Sequence, residues 1–506
     1  MLLRRCLPAC LVLPLLSLAW PVWSAAPPTP PFGPGSDPAA VSIDRRLIDA
    51  SKSSSELMAN LTHLCDAIGP RLTGSAALQR ANEWAADKMR SYGLANVRLE
   101  PYTIPEGWQR GTATATLVEP LAGRPLTVAS MGWYPGTKGK VRGEVVYLKA
   151  EKTAELEAYK GKLSGAMVLL TAPRQVARLD QLGKPTDPTR GPAGNFGRRS
   201  MSELQAFRKS LYAFLEKEGV AAVFQDAGKP LGLLTMTGSW GTGDRSSATN
   251  RIPTLFVAHQ HYDLLYRLAT RTTGPRPRLD LEVNNTFIPG PVKVFNTVGE
   301  IVGSEKPNEY VVVGAHLDSW DLAQGATDNG TGSSVVLEAA RMISRSGVRP
   351  KRTIRFVLFS GEEQGLHGSK AFADKHKDDL ARTSAALVHD TGTGRVKGIG
   401  TGGRPIHRAI LERELKTLSE VGVSDFDAPT GGGSDHVSFS RLGVPGFMLV
   451  QDMSTYSYTH HTQADTLDAA DEKNLIQGAQ VMAVTAVRIA NLNGLLPRLE
   501  QSPRRQ

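Results

Sequence analysis

The chain has 506 residues, of which 41% are hydrophobic and 21% charged, the proportions of a soluble globular enzyme; at roughly 150 residues per domain that length allows two or three domains. The 50 glycines and 32 prolines imply many turns, but no collagen-like period, heptad run or internal repeat is present. The net charge of +10 is spread along the chain, and no Lys/Arg stripe is interleaved with aromatics, so a solvated basic surface is expected and nucleic acid is not an expected partner.

Arg4 and Arg5 precede a mostly apolar stretch from Leu7 to Trp20, and Val22-Trp23-Ser24-Ala25 supplies small residues for cleavage. This is the pattern of a secretory signal peptide over 1–24. The run is short and broken by Pro8, Pro14 and Pro21, so it is not read as a membrane anchor, and no later segment is apolar enough to span a bilayer. A secreted or periplasmic location follows. Cys6 and Cys10 leave with the signal peptide, so the mature chain keeps Cys65 alone and forms no internal disulfide.

Residues 25–40 read as a Pro-rich linker. Over 41–93, Leu57, Leu61 and Leu64 share a helix face, and Ala77 to Tyr92 form a second amphipathic run that Gly93 can stop. Asn96 to Ile104 alternates like a strand. Strand patterns recur at Ala113–Leu117, Gly143–Leu148 and Ala166–Leu170; a helix face follows (Leu204, Phe207, Leu211, Phe214 and Leu215), then a strand at Ala221–Phe224. We read 126–284 as a separate small unit of strands and short helices inserted between 41–125 and 285–495, with a tail at 496–506. From 290 strands and helices alternate: Tyr310–Ala315, Gly332–Ser344, Thr353–Phe359, Ala385–Val388, Gly446–Val450 and Asn474–Ile489. That alternation predicts an α/β fold on a largely parallel sheet.

Acids and imidazoles follow those strands. His316-Leu317-Asp318 ends the first, Glu362-Glu363 follows the second, Asp390 the third, and His460-His461 lie beyond the fourth; Asp328 sits in the turn Gly325 to Gly330. Sites in open α/β sheets form outside the carboxyl ends of strands. Singly, each residue could cap a turn or sit in a core. Together, two imidazoles and three carboxylates suit two zinc ions, provided one carboxylate bridges. Asp328, in a Gly-rich turn, is the candidate bridge.

The segments Gly314 to Trp320, Gly325 to Gly330, Glu362-Glu363-Gln364-Gly365, Ser434-Asp435-His436, Gly443-Val444-Pro445 and His461 to Thr466 resemble, in order, the co-catalytic zinc aminopeptidase family. Gly69 to Ser75, Asp321 after Trp320, and Arg349 to Thr353 are similar to its carboxypeptidase Q branch. The resemblance implies a mixed, largely parallel sheet sandwiched by helices, of the phosphorylase/hydrolase-like zinc peptidase type, with a protease-associated β-rich insert at 126–284. It implies that His316 and Asp390 hold one zinc, Glu363 and His461 the other, and that Asp328 bridges. Glu362 would be the general base, and Asp318 would join the catalytic set by hydrogen-bonding His316. The Asp328–Asn329 peptide is expected to be cis. Tyr456 and Tyr458 are candidates to bind the oxyanion, and Asp435 and His436 to line the pocket. His63, His259, His261, His367, His376, His389 and His407 are expected to be structural. Short peptide substrates follow, and the branch tends to dimerise. Two departures bear on specificity: Asn329 stands where the branch has Asp, and the 456–461 stretch is less aromatic than the branch implies. A single-zinc glutaminyl cyclase and a receptor without activity share such scaffolds, but the complete set of ligands and Glu362 favours hydrolysis.

Overall fold

The structure is a computed structural model and describes residues 37–181, 200–240, 251–428 and 433–499. The expected signal peptide lies outside the described residues, as do 25–36 of the linker and 500–506 of the tail. The first helix, α1 (Pro38–Ser53), begins inside the span read as linker: proline opens it, and the Asp37 carboxylate accepts from Ala39 N at 3.0 Å. The next long helix, α2 (Ala76–Ser91), is capped by the Ser75 hydroxyl, which accepts from Leu78 N at 3.2 Å.

Seven strands form the main sheet: β1 (Ala95–Ile104), β2 (Val292–Ile301), β3 (Lys306–His316), β4 (Arg352–Phe359), β5 (Thr383–Val388), β6 (Val396–Gly400) and β7 (Gly446–Gln451). Their spatial order is β1-β2-β4-β3-β5-β7-β6. The centre is parallel (β3 with β4 and β5, β5 with β7), and the pairs β1–β2, β2–β4 and β6–β7 are antiparallel. The sheet is therefore mixed, with its parallel part confined to the middle.

Helices cover both faces, which is why the central strands are buried along their length and mostly apolar rather than alternating. Val311 and Val313 of β3 join a core with Val335, Val336 and Ala339 of α3 (Thr331–Arg345) and with Val481, Val484 and Val487 of the last helix. Val312 points the other way, to Val357, Phe359 and Phe439, and to Phe372 from α4 (His367–Lys375). The last helix, α5 (Glu472–Asn491), packs along α3. Burying each of these aliphatic side chains contributes about 1.5–3 kcal/mol. In the span expected as a tail, Leu496 is buried and its backbone N–H donates to Ser384 Oγ at 3.1 Å.

A second sheet of eight strands runs in the order Arg124–Leu126, Ala113–Glu119, Arg278–Val283, Val141–Tyr147, Met167–Leu169, Ala222–Asp226, Thr254–Val257, Val128–Ser130. One face packs Leu117, Phe224, Leu255 and Leu281 on Tyr262 and Leu265 of the helix His259–Thr270. The other packs Val168 and Val223 on Leu211 and Leu215 of the helix Met201–Lys217. The stretch 113–126, read with the first part of the chain, pairs in this second sheet, because Ala113–Glu119 lies antiparallel to Arg278–Val283. Cys65 is free and buried. Among the described residues no helix is long and apolar enough to cross a membrane.

Candidate metal centre

Parallel pairing brings the carboxyl ends of the central strands level. His316 stands opposite Phe359, and Gly314 opposite Val388. The residues just beyond, Glu362, Glu363 and Asp390, therefore meet His316 at one edge, where the loops carrying Asp328 and His461 also arrive. His316 Nε2 lies 3.1 Å from Asp390 Oδ1 and 3.3 Å from Asp328 Oδ1. His461 Nε2 lies 2.9 Å from Glu363 Oε2 and 3.4 Å from Asp328 Oδ2. Asp328 thus faces both histidines, one with each oxygen. Trp320, Asp328, Glu363, His461, Thr462 and Asp465 line a small cleft there.

Several groups hold these side chains in place. His316 Nδ1 lies 2.9 Å from the backbone carbonyl of Asp318, while the Asp318 carboxylate is 3.6 Å away. The expected bond from His316 to that carboxylate is thus taken by the carbonyl. The carboxylate instead accepts from Thr73 Oγ1 at 3.0 Å and from the backbone N–H groups of Glu362 and Glu363 at 3.3 and 3.4 Å. It fixes the two glutamates, not the imidazole. The Asp328 loop is tied by Asp465, which accepts from Thr327 N at 2.5 Å and Asp328 N at 3.3 Å. The Asp328–Asn329 peptide is cis. Asn329 bridges the Asp390 strand and α3, donating to His389 O at 2.9 Å and accepting from Gly332 N at 2.9 Å. A Cβ on Gly332 would lie 2.3 Å from both Asn329 Oδ1 and His389 O, so no larger residue fits without a shift.

The donors suit a cation. Ligand atoms of His316, Asp328 and Asp390 all lie within 4.8 Å of one another, as do those of Asp328, His460 and His461. Asp328 Oδ2 and Glu363 Oε1 are buried without a hydrogen-bond partner among the described residues. Burial pushes the Glu362 carboxyl well above its ordinary range, and Asp390, Glu363 and Asp435 add to this against His316. Burial alone would lower the His461 imidazole, but Glu363 and Asp328 raise it to about 9. The carboxylates around each imidazole thus favour positive charge there, which one or two divalent cations could supply. Imidazole nitrogen with carboxylate oxygen is a zinc donor set.

Residues 296–486 match peptidase family M28. Carboxypeptidase Q from Mus musculus is 30% identical over 436 residues, which cover 86% of this chain and 86% of the mouse protein. The chain belongs to peptidase family M28. Among solved structures, a peptidase M28 precursor from Shewanella amazonensis is 27% identical, superposes with a TM-score of 0.74, and matches over 91% of this chain and 100% of its own. A zinc aminopeptidase from Bacillus subtilis shares the fold at 21% identity and a TM-score of 0.60, over 85% of this chain and 94% of its own.

The remaining expected residues divide. Tyr456 is buried beside the acids of this M28 site: burial raises its hydroxyl well above the ordinary range, and Asp328, Asp390 and Glu363 raise it further. Tyr458 gives its backbone carbonyl to Thr462 Oγ1 at 2.7 Å. Asp435 is buried, and neither of its oxygens finds an aligned donor among the described residues; burial lifts its carboxyl, and Asp318 and Asp390 add to this. His436 is buried with Nδ1 unpartnered among the described residues, and burial lowers it to about 4. His389 points away from the cleft, its Nε2 3.1 Å from where a Cβ on Gly478 of α5 would lie. His460 stacks on His461 with ring centroids 3.8 Å apart, and its Nε2 is 3.9 Å from Asp328 Oδ2.

Four supporting residues carried no assigned role in the sequence reading: Arg71, Thr73, Gln463 and Asp465. All four lie inside segments quoted for the family resemblance, so their signal was present. Arg71, fully buried, donates to Leu317 O at 2.7 Å, Gln324 O at 2.9 Å and Gly325 O at 2.6 Å, holding the loop between His316 and Asp328.

Proposed function

We propose that this M28 peptidase is a secreted exopeptidase that holds two zinc ions and hydrolyses short peptides or dipeptides at the bond next to a free terminus. The observation that carries the reading is Asp328, whose two oxygens face His316 and His461 separately. In this reading His316 and Asp390 hold one ion, Glu363 and His461 the other, and Asp328 bridges. His461 is favoured over His460 because it lies 2.9 Å from Glu363 and 3.4 Å from Asp328, whereas His460 lies 3.9 Å from Asp328. Zinc follows from the donor set and is the metal named for the Bacillus subtilis neighbour.

Bound there, such ions would acidify a water and polarise the scissile carbonyl. Glu362 takes the proton of the attacking water and passes it to the leaving amine, a role that typically contributes about 10²–10⁴-fold. Asp318 orients it by accepting the Glu362 and Glu363 backbone N–H groups. The surplus of carboxylates in the cleft suits a substrate's protonated α-amine. Tyr456, whose hydroxyl lies in the field of Asp328, Asp390 and Glu363, is the tyrosine we read as donating to the developing oxyanion. The second sheet is read as a protease-associated-like insert, and residues 1–24 as the export signal.

The test is hydrolysis of free dipeptides, N-blocked dipeptides and aminoacyl-anilides by the purified chain, with zinc measured on the same sample. Cleavage that requires a free amine, with two zincs per chain, is expected. One zinc per chain with conversion of an N-terminal glutamine to a pyroglutamyl residue and release of ammonia would replace the reading with a glutaminyl cyclase.

A further inference from the structure

The loop that carries His461 is held from outside the main sheet. Residues 227–240 leave the second-sheet strand Ala222–Asp226 and meet residues 457–463. Lys229 Nζ donates to Ser457 O at 2.6 Å and to His460 O at 3.3 Å. Gln463 Oε1 accepts from Leu234 N at 2.7 Å, and its Nε2 donates to Gly232 O at 3.3 Å. An antiparallel bridge joins Thr235 to Thr462. These contacts flank His461 on both sides along the chain.

His461 needs such support. Its φ is 58°, in the left-handed region that residues other than glycine seldom adopt. That conformation brings its ring to 2.9 Å from Glu363 and 3.4 Å from Asp328. A residue in a sparsely populated backbone region persists only where its surroundings over-determine it. His316 and Asp390 have a different support, since they sit at the ends of β3 and β5.

We propose that Lys229 and Gln463 are positioning residues for one metal position: by fastening the 457–463 backbone to the second-sheet unit, they hold His461 in its left-handed conformation and so set the affinity of the Glu363–His461 position but not that of the His316–Asp390 position. The inference rests on the two-ion reading above. It gives the inserted unit a task in metal retention. A group that orients a metal ligand typically changes affinity about 10–100-fold when removed.

The experiment compares the wild-type chain with Gln463→Ala, Lys229→Met and the conservative Gln463→Glu, each titrated with zinc against a chromogenic chelator and melted in parallel. Wild type is expected to show two binding events. Gln463→Ala and Lys229→Met are expected to weaken one by about 10–100-fold and leave the other unchanged, with kcat falling more than KM rises. Gln463→Glu keeps the acceptor for Leu234 N and should recover part of the loss. Both ions held as tightly as in wild type by Gln463→Ala and by Lys229→Met overturns the proposal. So does an equal weakening of both ions, which marks a general loosening. A wild-type chain that holds fewer than two zincs overturns the two-ion reading itself, and this inference with it.

Discussion

Replacing Arg71 by Met keeps most of the side-chain volume and removes every donor. In the fold the guanidinium donates to Leu317 O, Gln324 O, Gly325 O and Gly69 O at 2.7, 2.9, 2.6 and 3.1 Å. The bonds to Leu317 and Gly325 are fully buried, so water cannot replace them. A buried carbonyl left without a donor costs about 1–3 kcal/mol, so the two together cost about 2–6 kcal/mol, a large share of the ~5–15 kcal/mol that stabilises a folded protein. At about 1 °C per kcal/mol for a chain of this size, the midpoint of thermal unfolding should fall by about 2–6 °C. Arg71→Lys, with a single point donor, should fall between wild type and Met. Calorimetry on zinc-loaded and chelator-treated samples reads the effect. The loss should be larger in the loaded protein, because the loosened loop leads to Asp328. A melting point for Arg71→Met within about 1 °C of wild type would refute the reasoning, since it would mean that the two carbonyls are not held by this side chain.

Glu362→Gln is expected to keep both zincs by elemental analysis and to lose about 10²–10⁴-fold in kcat; full metal with retained turnover removes Glu362 from the mechanism. Gly332→Ala should destabilise by about 1–3 kcal/mol in urea unfolding, because the added Cβ meets Asn329 and the His389 carbonyl, and this outweighs the ~1 kcal/mol that alanine offers a helix; a stabilised variant would contradict the packing. Burial alone would raise the Glu100 carboxyl, but His376, Arg98 and Lys375 bring it down to about 2. Its contribution is therefore present above the ordinary 4.5 and is lost as pH falls toward about 2, so wild type should lose stability over that interval more steeply than Glu100→Gln. Parallel pH profiles of the two unfolding midpoints would contradict that assignment.

Much of the main sheet could be read from local pattern. Tyr310–Ala315 is an unbroken apolar run and Ile354–Phe359 is broken only by Arg355, because helices cover both faces, and such runs announce a central parallel strand. The site was legible for the same reason: once the strands are placed, His316, Glu362, Glu363 and Asp390 must emerge at one edge. Period-two alternation likewise sends His389 away from the cleft when Asp390 faces it.

What was not legible depended on contacts between distant segments. Ala113–Glu119 reads as a strand, but its partner, Arg278–Val283, lies far along the chain, and nothing local says which sheet it enters. The choice between the Asp318 carbonyl and its carboxylate as the acceptor for His316 is a matter of an ångström, below anything spacing can report. Lys229 and Gln463 gain their meaning only when residues 227–240 meet the His461 loop. Arg71 looks like any arginine in a turn until five backbone carbonyls, those of Leu64, Gly69, Leu317, Gln324 and Gly325, converge on it.

The most direct test of the central claim is to strip the purified chain of metal and return zinc stepwise, following cleavage of a free dipeptide together with bound zinc. The account predicts that activity stays low through the first equivalent and reaches its plateau at two, with no turnover of the N-blocked dipeptide at any point. Full activity at one equivalent, or activity that survives complete removal of metal, would contradict it.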